Sequence, residues 1–163
     1  MVMGSVQSGK TLNYTTVISK ASDVGYKLIV LMTSSNKKLR SQTQERIDEQ
    51  FVGKFSLGSG MGSQDTFTGV YHHRNKNAEG KTPITLTTVK RDINKPYPDI
   101  TSDSIKSPLI FVVQKNSRVL GNLIDFFEKD TPEFKERETL LLIDDEADNA
   151  SINTKAQKDD ITK

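Results

Sequence analysis

Eight residues near the start of the chain, GSVQSGKT from Gly4 to Thr11, have the types and spacing that hold a phosphate group. Far along the chain, the nine residues LLLIDDEAD from Leu140 to Asp148 set carboxylates behind an apolar run. The first string fits G-x-x-x-x-G-K-[ST], in which the glycines let backbone N–H groups approach phosphate oxygens. Gly4 and Gly9 allow the loop to curl, so that the amides of Ser5, Val6, Gln7 and Ser8 turn inward. Lys10 then meets the β- and γ-phosphates as a point charge. Thr11 opens a helix, where its hydroxyl can ligate magnesium and the positive end of the helix dipole adds to the anion site. The plain alternative is a chance match in a Gly/Ser-rich turn. The flanks argue against it: Val2 and Met3 read as a strand stub, and Leu12, Val17, Ile18, Ala21 and Val24 as a helical apolar face closed by Gly25.

In the second string, Leu140 to Ile143 suits a parallel strand buried on both faces, with charge at its carboxyl edge. That edge is where α/β sheets bind ligands. Asp144, Asp145 and Glu146 repel one another unless a cation or solvent relieves them, and the simple alternative is a solvated turn after a core strand. Paired with the phosphate loop, they supply what nucleotide hydrolysis needs: one carboxylate for a hydrated magnesium ion and one to orient or deprotonate water. Asp145 is assigned to the metal with Thr11, and Glu146 to the water. Lys10 joins Glu146 as catalytic. Asp144 stays open as the metal carboxylate, because a strand end is uncertain by a residue.

The elements between must bring these strings together, and strand and helix patterns alternate as a parallel sheet requires. LIVLMT at Leu28 to Thr33 is a second buried strand, and Ser34, Ser35 and Asn36 form a capping turn. Leu39, Thr43, Ile47 and Phe51 then recur at a spacing of four, which predicts an amphipathic helix exposing Lys37, Lys38, Arg40, Gln42 and Arg46. Lys37, Lys38, Arg40 and Arg46 are candidate DNA contacts, with an ordinary solvated face as the alternative. Residues 53–82 are too rich in Gly, Ser and polar residues to pack and read as a loop or insertion. His72 and His73 are adjacent and diverge, so they make no shared metal site. ITLTTV at Ile84 to Val89 is strand-like, and the Pro96 to Pro108 region is a loop. Leu109 to Val113 is another buried strand. Asn116 or Ser117 can cap a helix with Val119, Leu120, Leu123, Ile124 and Phe127 on one face.

Composition sets the bounds. The 163 residues suffice for one domain with a real core, and no apolar run approaches membrane-spanning length. No secretory signal opens the chain, and with Cys 0 it has no disulfides, thiolate zinc sites or thiol nucleophiles, so a cytoplasmic home is expected. Net charge is +2, unevenly spread: residues 1–118 hold 17 Lys/Arg against 9 Asp/Glu, and residues 119–163 hold 6 against 12. That asymmetry suits a basic face for nucleic acid, or charges merely solvated.

GSVQSGKT, KLIVLMTSSNKKLRSQTQERID, FVVQKNSRVLGNL and LLLIDDEADNASINT together resemble the Z-one domain family, named for an endonuclease and similar to superfamily-two, DEAD-type helicase-like ATPases. The likeness covers most of the chain outside Gly53 to Pro108, and its DEAD string falls on Asp145, Glu146, Ala147 and Asp148. It implies an α/β, RecA-like P-loop NTPase fold of three layers with a mostly parallel sheet, serving as the first motor lobe over residues 1–163. It also implies ATP with magnesium, action on DNA, and a place in bacterial restriction or defence beside nuclease or ATPase partner proteins. No clustered nuclease carboxylates with a lysine stand apart from the ATPase motif. Only Met1 to Met3 precede the loop where a strand usually runs five or six residues, and the second lobe that would complete an ATP site with an arginine is missing. The chain is therefore expected to be a piece of a longer protein. Two other classes compete with the motor: a nucleotide-gated switch that binds a protein partner with little turnover, and a small-molecule phosphotransferase.

Overall fold

The run LIVLMT becomes β1 (Leu28–Thr33), and Leu28, Ile29, Val30 and Leu31 are all buried. A strand covered on both faces is apolar at successive positions, and this one lies inside a parallel sheet. The computed structural model describes residues 10–55, 64–65, 69, 83–95, 100, 106–130 and 138–145. Within them, four parallel strands lie in the order β4, β5, β1, β6: β4 is Ile84–Thr85, β5 is Leu109–Gln114 and β6 is Leu140–Asp144. Met32 of β1 stands in register between Val113 of β5 and Asp144 of β6. The fold is α/β, as expected.

Helix α1 (Lys10–Asp23) precedes β1 and is turned into it by Gly25, whose φ of 99° favours glycine. Gly25 N–H donates to Ser22 O at 3.2 Å and Tyr26 N–H to Ala21 O at 3.0 Å, the paired bonds of a Schellman ending. With 14 residues, α1 is about 21 Å long, close to the length of β1, so its first turn returns to the carboxyl edge of the sheet. The buried face of α1 is Tyr14, Thr15 and Ile18. It is not the expected one, since Val17 and Val24 are exposed. Thr15 Oγ1 instead meets Gln50 Oε1 at 3.3 Å, which ties α1 to the end of the next helix.

That helix, α2 (Lys37–Ile47), is capped by Asn36, whose side chain accepts from Lys38 N–H at 2.8 Å. It widens into a π-type turn over Asp48–Val52 and stops at Gly53, φ 82°. Helices α1 and α2 share one face of the sheet, where Tyr14, Ile18, Ile47, Phe51 and Val52 pack on Ile29, Leu31, Ile110 and Val112. The opposite face is covered by α3 (Ser117–Asp125), capped by Asn116, which accepts from Val119 N–H at 3.0 Å. Val119, Leu123 and Phe126 pack there on Leu28, Val30, Leu109, Phe111 and Val113. Phe111, Phe126 and Phe127 form a tilted cluster with centroids 5.3 to 5.6 Å apart, worth about 0.5–1.5 kcal/mol per pair beyond burial. Ile124, expected on the same face, is exposed.

Four expectations need correction. Leu39 is exposed and Arg40 is 1% exposed. Residues four apart advance 40° around a helix of 3.6 residues per turn, so Leu39 and Phe51 cannot share a face. The buried stripe is Arg40, Thr43, Gln44, Ile47, Asp48 and Phe51. Second, ITLTTV pairs with β5 only over Ile84–Thr85, because side chains take over the ladder. Thr87 Oγ1 accepts from Val112 N–H at 2.9 Å and Asp92 Oδ2 from Gln114 N–H at 2.9 Å. Third, residues 53–82 are not wholly irregular: β2 (Lys54–Phe55) pairs antiparallel with β3 (Gln64–Asp65). Fourth, β6 is not covered on both faces. It is the outer described strand, with Leu140 47% and Leu142 54% exposed. Among the described residues no helix is long and apolar enough to cross a membrane.

Candidate functional site

Strand carboxyl ends and helix starts meet at one edge of the sheet. Thr33, Gln114 and Asp144 end β1, β5 and β6, and the first residues of α1, α2 and α3 lie at the same edge. Backbone bonds continue past the strand ends: Lys115 N–H donates to Thr33 O at 3.1 Å and Asp145 N–H to Met32 O at 2.9 Å. Gln114 Nε2 holds the β1–α2 turn through Ser35 O at 2.8 Å, and Thr33 Oγ1 reaches Val113 O at 3.2 Å. This edge is therefore fixed by hydrogen bonds on both sides of β1.

Asp144 is partly buried and takes an ion pair from Lys115, Nζ to Oδ2 at 2.8 Å. The pair spans the end of β1, since β5 and β6 flank that strand. Asp145 continues the ladder by one residue, on the side of the pleat that carries Leu141 and Ile143 toward the α1 and α2 face. Lys10 and Thr11 open α1. The expected phosphate-loop residues Gly4, Ser5, Val6, Gln7, Ser8 and Gly9 lie outside the described residues, and so does Glu146.

The candidate DNA contacts do not form one patch. Lys37 and Lys38 are exposed in the first turn of α2, and Arg46 is exposed in its last. Arg40 does not fit that role at all. Its Nη1 donates to Val112 O at 3.2 Å, and its Nη2 to Thr88 O and Val89 O at 2.6 and 2.7 Å. Its Nε stands 3.9 Å from Asp92 Oδ2. A guanidinium presents five donors in a fork, which lets a single side chain hold three carbonyls and a carboxylate. Burial lowers its pKa, against the opposing charges of Asp92 and then Asp48. Burial likewise raises the pKa of Asp92, against the N–H groups of Gln114 and Ile93 and the charge of Arg40.

Around Arg40 the network closes. Gln44 Nε2 donates to Asp48 Oδ1 at 2.8 Å, and Gln44 Oε1 accepts from Thr87 Oγ1 at 2.7 Å. Ser41 Oγ donates to Val89 O at 2.8 Å. Among the described residues no buried side-chain nitrogen or oxygen lacks a partner. The turn so anchored carries Lys90 and Arg91, both exposed, beside the start of α2, and Arg118 is exposed at the start of α3. Sequence pattern missed this grouping because Ile84 to Val89 read as a strand, with no sign of the turn that follows Thr87. It also missed the Lys115–Asp144 pair, for which the only signal was two strand ends of opposite charge.

Magnesium suits the donors at this edge, since it keeps several waters and takes one or two carboxylates plus phosphate oxygens. Among the described residues there is no group of three or more His, Cys, Asp or Glu that could cage a metal by itself. No protein-family model, curated protein or solved structure matches the chain.

Proposed function

We propose that the chain is the ATP-binding and hydrolysing lobe of a RecA-like motor acting on DNA, similar to superfamily-two helicase-like proteins of the Z-one kind. The observation that supports the reading is one edge shared by the helix that follows the first motif and by two aspartates of the second. Helix α1 opens at Lys10 on the carboxyl edge of a parallel sheet, and Asp144 and Asp145 stand at that same edge. Topology supports it further. The path from β1 to β5 passes α2 on one face, and the path from β5 back to β6 passes α3 on the other, so both connections share one hand. The half-exposed Leu140 and Leu142 suit a β6 that further structure covers in the intact motor.

In this mechanism the amides of Gly4 to Gly9 and the Lys10 ammonium hold the β- and γ-phosphates, and the start of α1 adds its dipole. Magnesium, held by Thr11 and Asp145, would supply positive charge to the phosphate oxygens. Glu146 orients a water in line with the γ-phosphate and takes its proton. A second lobe supplies the arginine that steadies charge in the transition state. Exposed Lys37, Lys38, Lys90, Arg91 and Arg118 form a basic rim for DNA phosphates.

Glu146→Gln in the intact motor is the test of the chemistry. ATP affinity is expected to persist while turnover falls roughly a hundredfold or more. Equal turnover in the variant contradicts Glu146 as the water-positioning group. ATP binding without turnover in the wild-type motor favours the nucleotide-gated switch instead.

A further inference from the structure

The acidic run presents two aspartates to one metal role, and the structure treats them differently. Successive residues of a strand face opposite sides of the sheet. Leu140 and Leu142 stand opposite Leu28 and Val30, which pack under α3, so Asp144 belongs to the α3 side. Leu141 and Ile143 pack with the α1 and α2 cluster, and Asp145, still on the ladder through Met32 O, follows them. Lys115 has the parity of Leu109, Phe111 and Val113 and emerges on the α3 side as well. Its ammonium crosses the end of β1 to reach Asp144 at 2.8 Å, with the two side chains only 12% and 27% exposed. Neighbouring strands are about 4.8 Å apart, so an extended lysine spans the gap that a shorter side chain would leave. The backbone after Lys115 is pinned by the Asn116 cap and by Asn116 N–H to Gln114 O at 2.9 Å.

We propose that Lys115 is the positioning residue that separates the two aspartates, holding Asp144 on the α3 face while Asp145, on the α1 and α2 face, is the carboxylate for a hydrated magnesium ion. The inference rests on the nucleotide reading and deepens it. An internal ammonium relieves the repulsion of three consecutive acids at one of them, without occupying the side of the strand where α1 begins. Asp144 is thereby a partner of Lys115 in both the free and the nucleotide-bound chain.

Two readouts test this. In the first, Mn²⁺ with ADP is titrated into the chain and bound Mn²⁺ is followed by electron paramagnetic resonance. Asp145→Asn is expected to weaken Mn²⁺ about tenfold or more, and Asp144→Asn to cost less. Lys115→Met takes away the ammonium that holds Asp144 on the α3 face, so Asp145→Asn loses less in that background, whereas Lys115→Arg keeps the wild-type pattern. In the second, acetylation of the Lys115 amine is timed by mass spectrometry. Asp144→Asn is expected to speed it severalfold and Asp145→Asn to leave it slow, and Mn²⁺ with ADP also leaves it slow in the wild-type chain. Asp144→Asn as costly as Asp145→Asn, or a Lys115 amine that becomes reactive when Mn²⁺ and ADP bind, overturns the inference and leaves the nucleotide reading standing. Failure of the wild-type chain to bind Mn²⁺ with ADP overturns the nucleotide reading, and with it the metal role of Asp145. An unprotected Lys115 in the wild-type chain overturns the ion pair itself.

Discussion

Lys10→Ala is expected to abolish ATP and ADP binding. The lysine is the one full positive charge in the phosphate loop, and without it the loop amides face two or three phosphate charges with partial charges alone. Because Lys10 is the first residue of α1, its side chain is not needed for the helix to form, and Ala is the best helix former. The melting temperature of the variant should therefore stay near that of the wild-type chain. Calorimetric titration with magnesium and ADP checks the first expectation and a thermal melt the second. Wild-type affinity in a folded Lys10→Ala chain contradicts the phosphate-loop assignment.

Arg40→Ala is expected to behave in the opposite way, leaving the phosphate loop untouched and costing about 3–5 kcal/mol of stability, the usual result of removing one partner from a buried charged pair. The loss has three parts. The carbonyls of Val112, Thr88 and Val89 lose their donors, Asp92 loses its counter-ion, and a cavity opens under α2. Arg40→Lys should fall between the two, because one ammonium cannot serve the carbonyls in the geometry of a planar fork. The effect also depends on pH, and its sign follows from Asp92. Burial already raises the pKa of that carboxyl in the folded chain. A raised group gives its full contribution below the ordinary carboxylate pKa and loses it as pH rises through the folded value. Without Arg40 the folded pKa rises further, so the deficit should be smaller at about pH 4 and larger at about pH 8. Urea unfolding at both pH values measures this, and Asp92→Asn in the same background should remove the pH dependence. A loss under about 1 kcal/mol is what a surface ion pair gives, and it would contradict the buried clamp.

The fold was legible where pattern and propensity agree. β1, β5 and β6 begin and end within a residue of their apolar runs, and Asn36, Gly25 and Asn116 act as the cap and stop residues their types suggest. Position on the sheet was not legible. LLLI reads as covered on both faces, yet β6 is an outer described strand with Leu140 and Leu142 exposed, because an apolar run does not tell a central strand from an edge one. Arg40 was misread for a related reason. Charge in a helix is a solvation signal only until a buried backbone offers carbonyls to pair it, and the carbonyls that hold Arg40 lie 48 to 72 residues away in sequence. Thr87 and Asp92 were misread because a side chain that completes a sheet ladder leaves no trace in hydrophobic period. Within the site, the residue types and spacing suggest a chemistry, whereas the placing of Asp144 and Asp145 on opposite faces needed the register of β5, β1 and β6 and the reach of Lys115 across them.

Phosphate release, measured with and without DNA on a longer protein that carries a second lobe and beside it on the 163 residues alone, tests the motor reading most directly. The arginine contributed across the cleft is worth about a thousandfold or more in rate. DNA-stimulated turnover is therefore expected from the two-lobed protein, and negligible turnover from these 163 residues, which nonetheless bind nucleotide. Brisk turnover by the chain alone, or turnover by the two-lobed protein that ignores DNA, would contradict the motor reading.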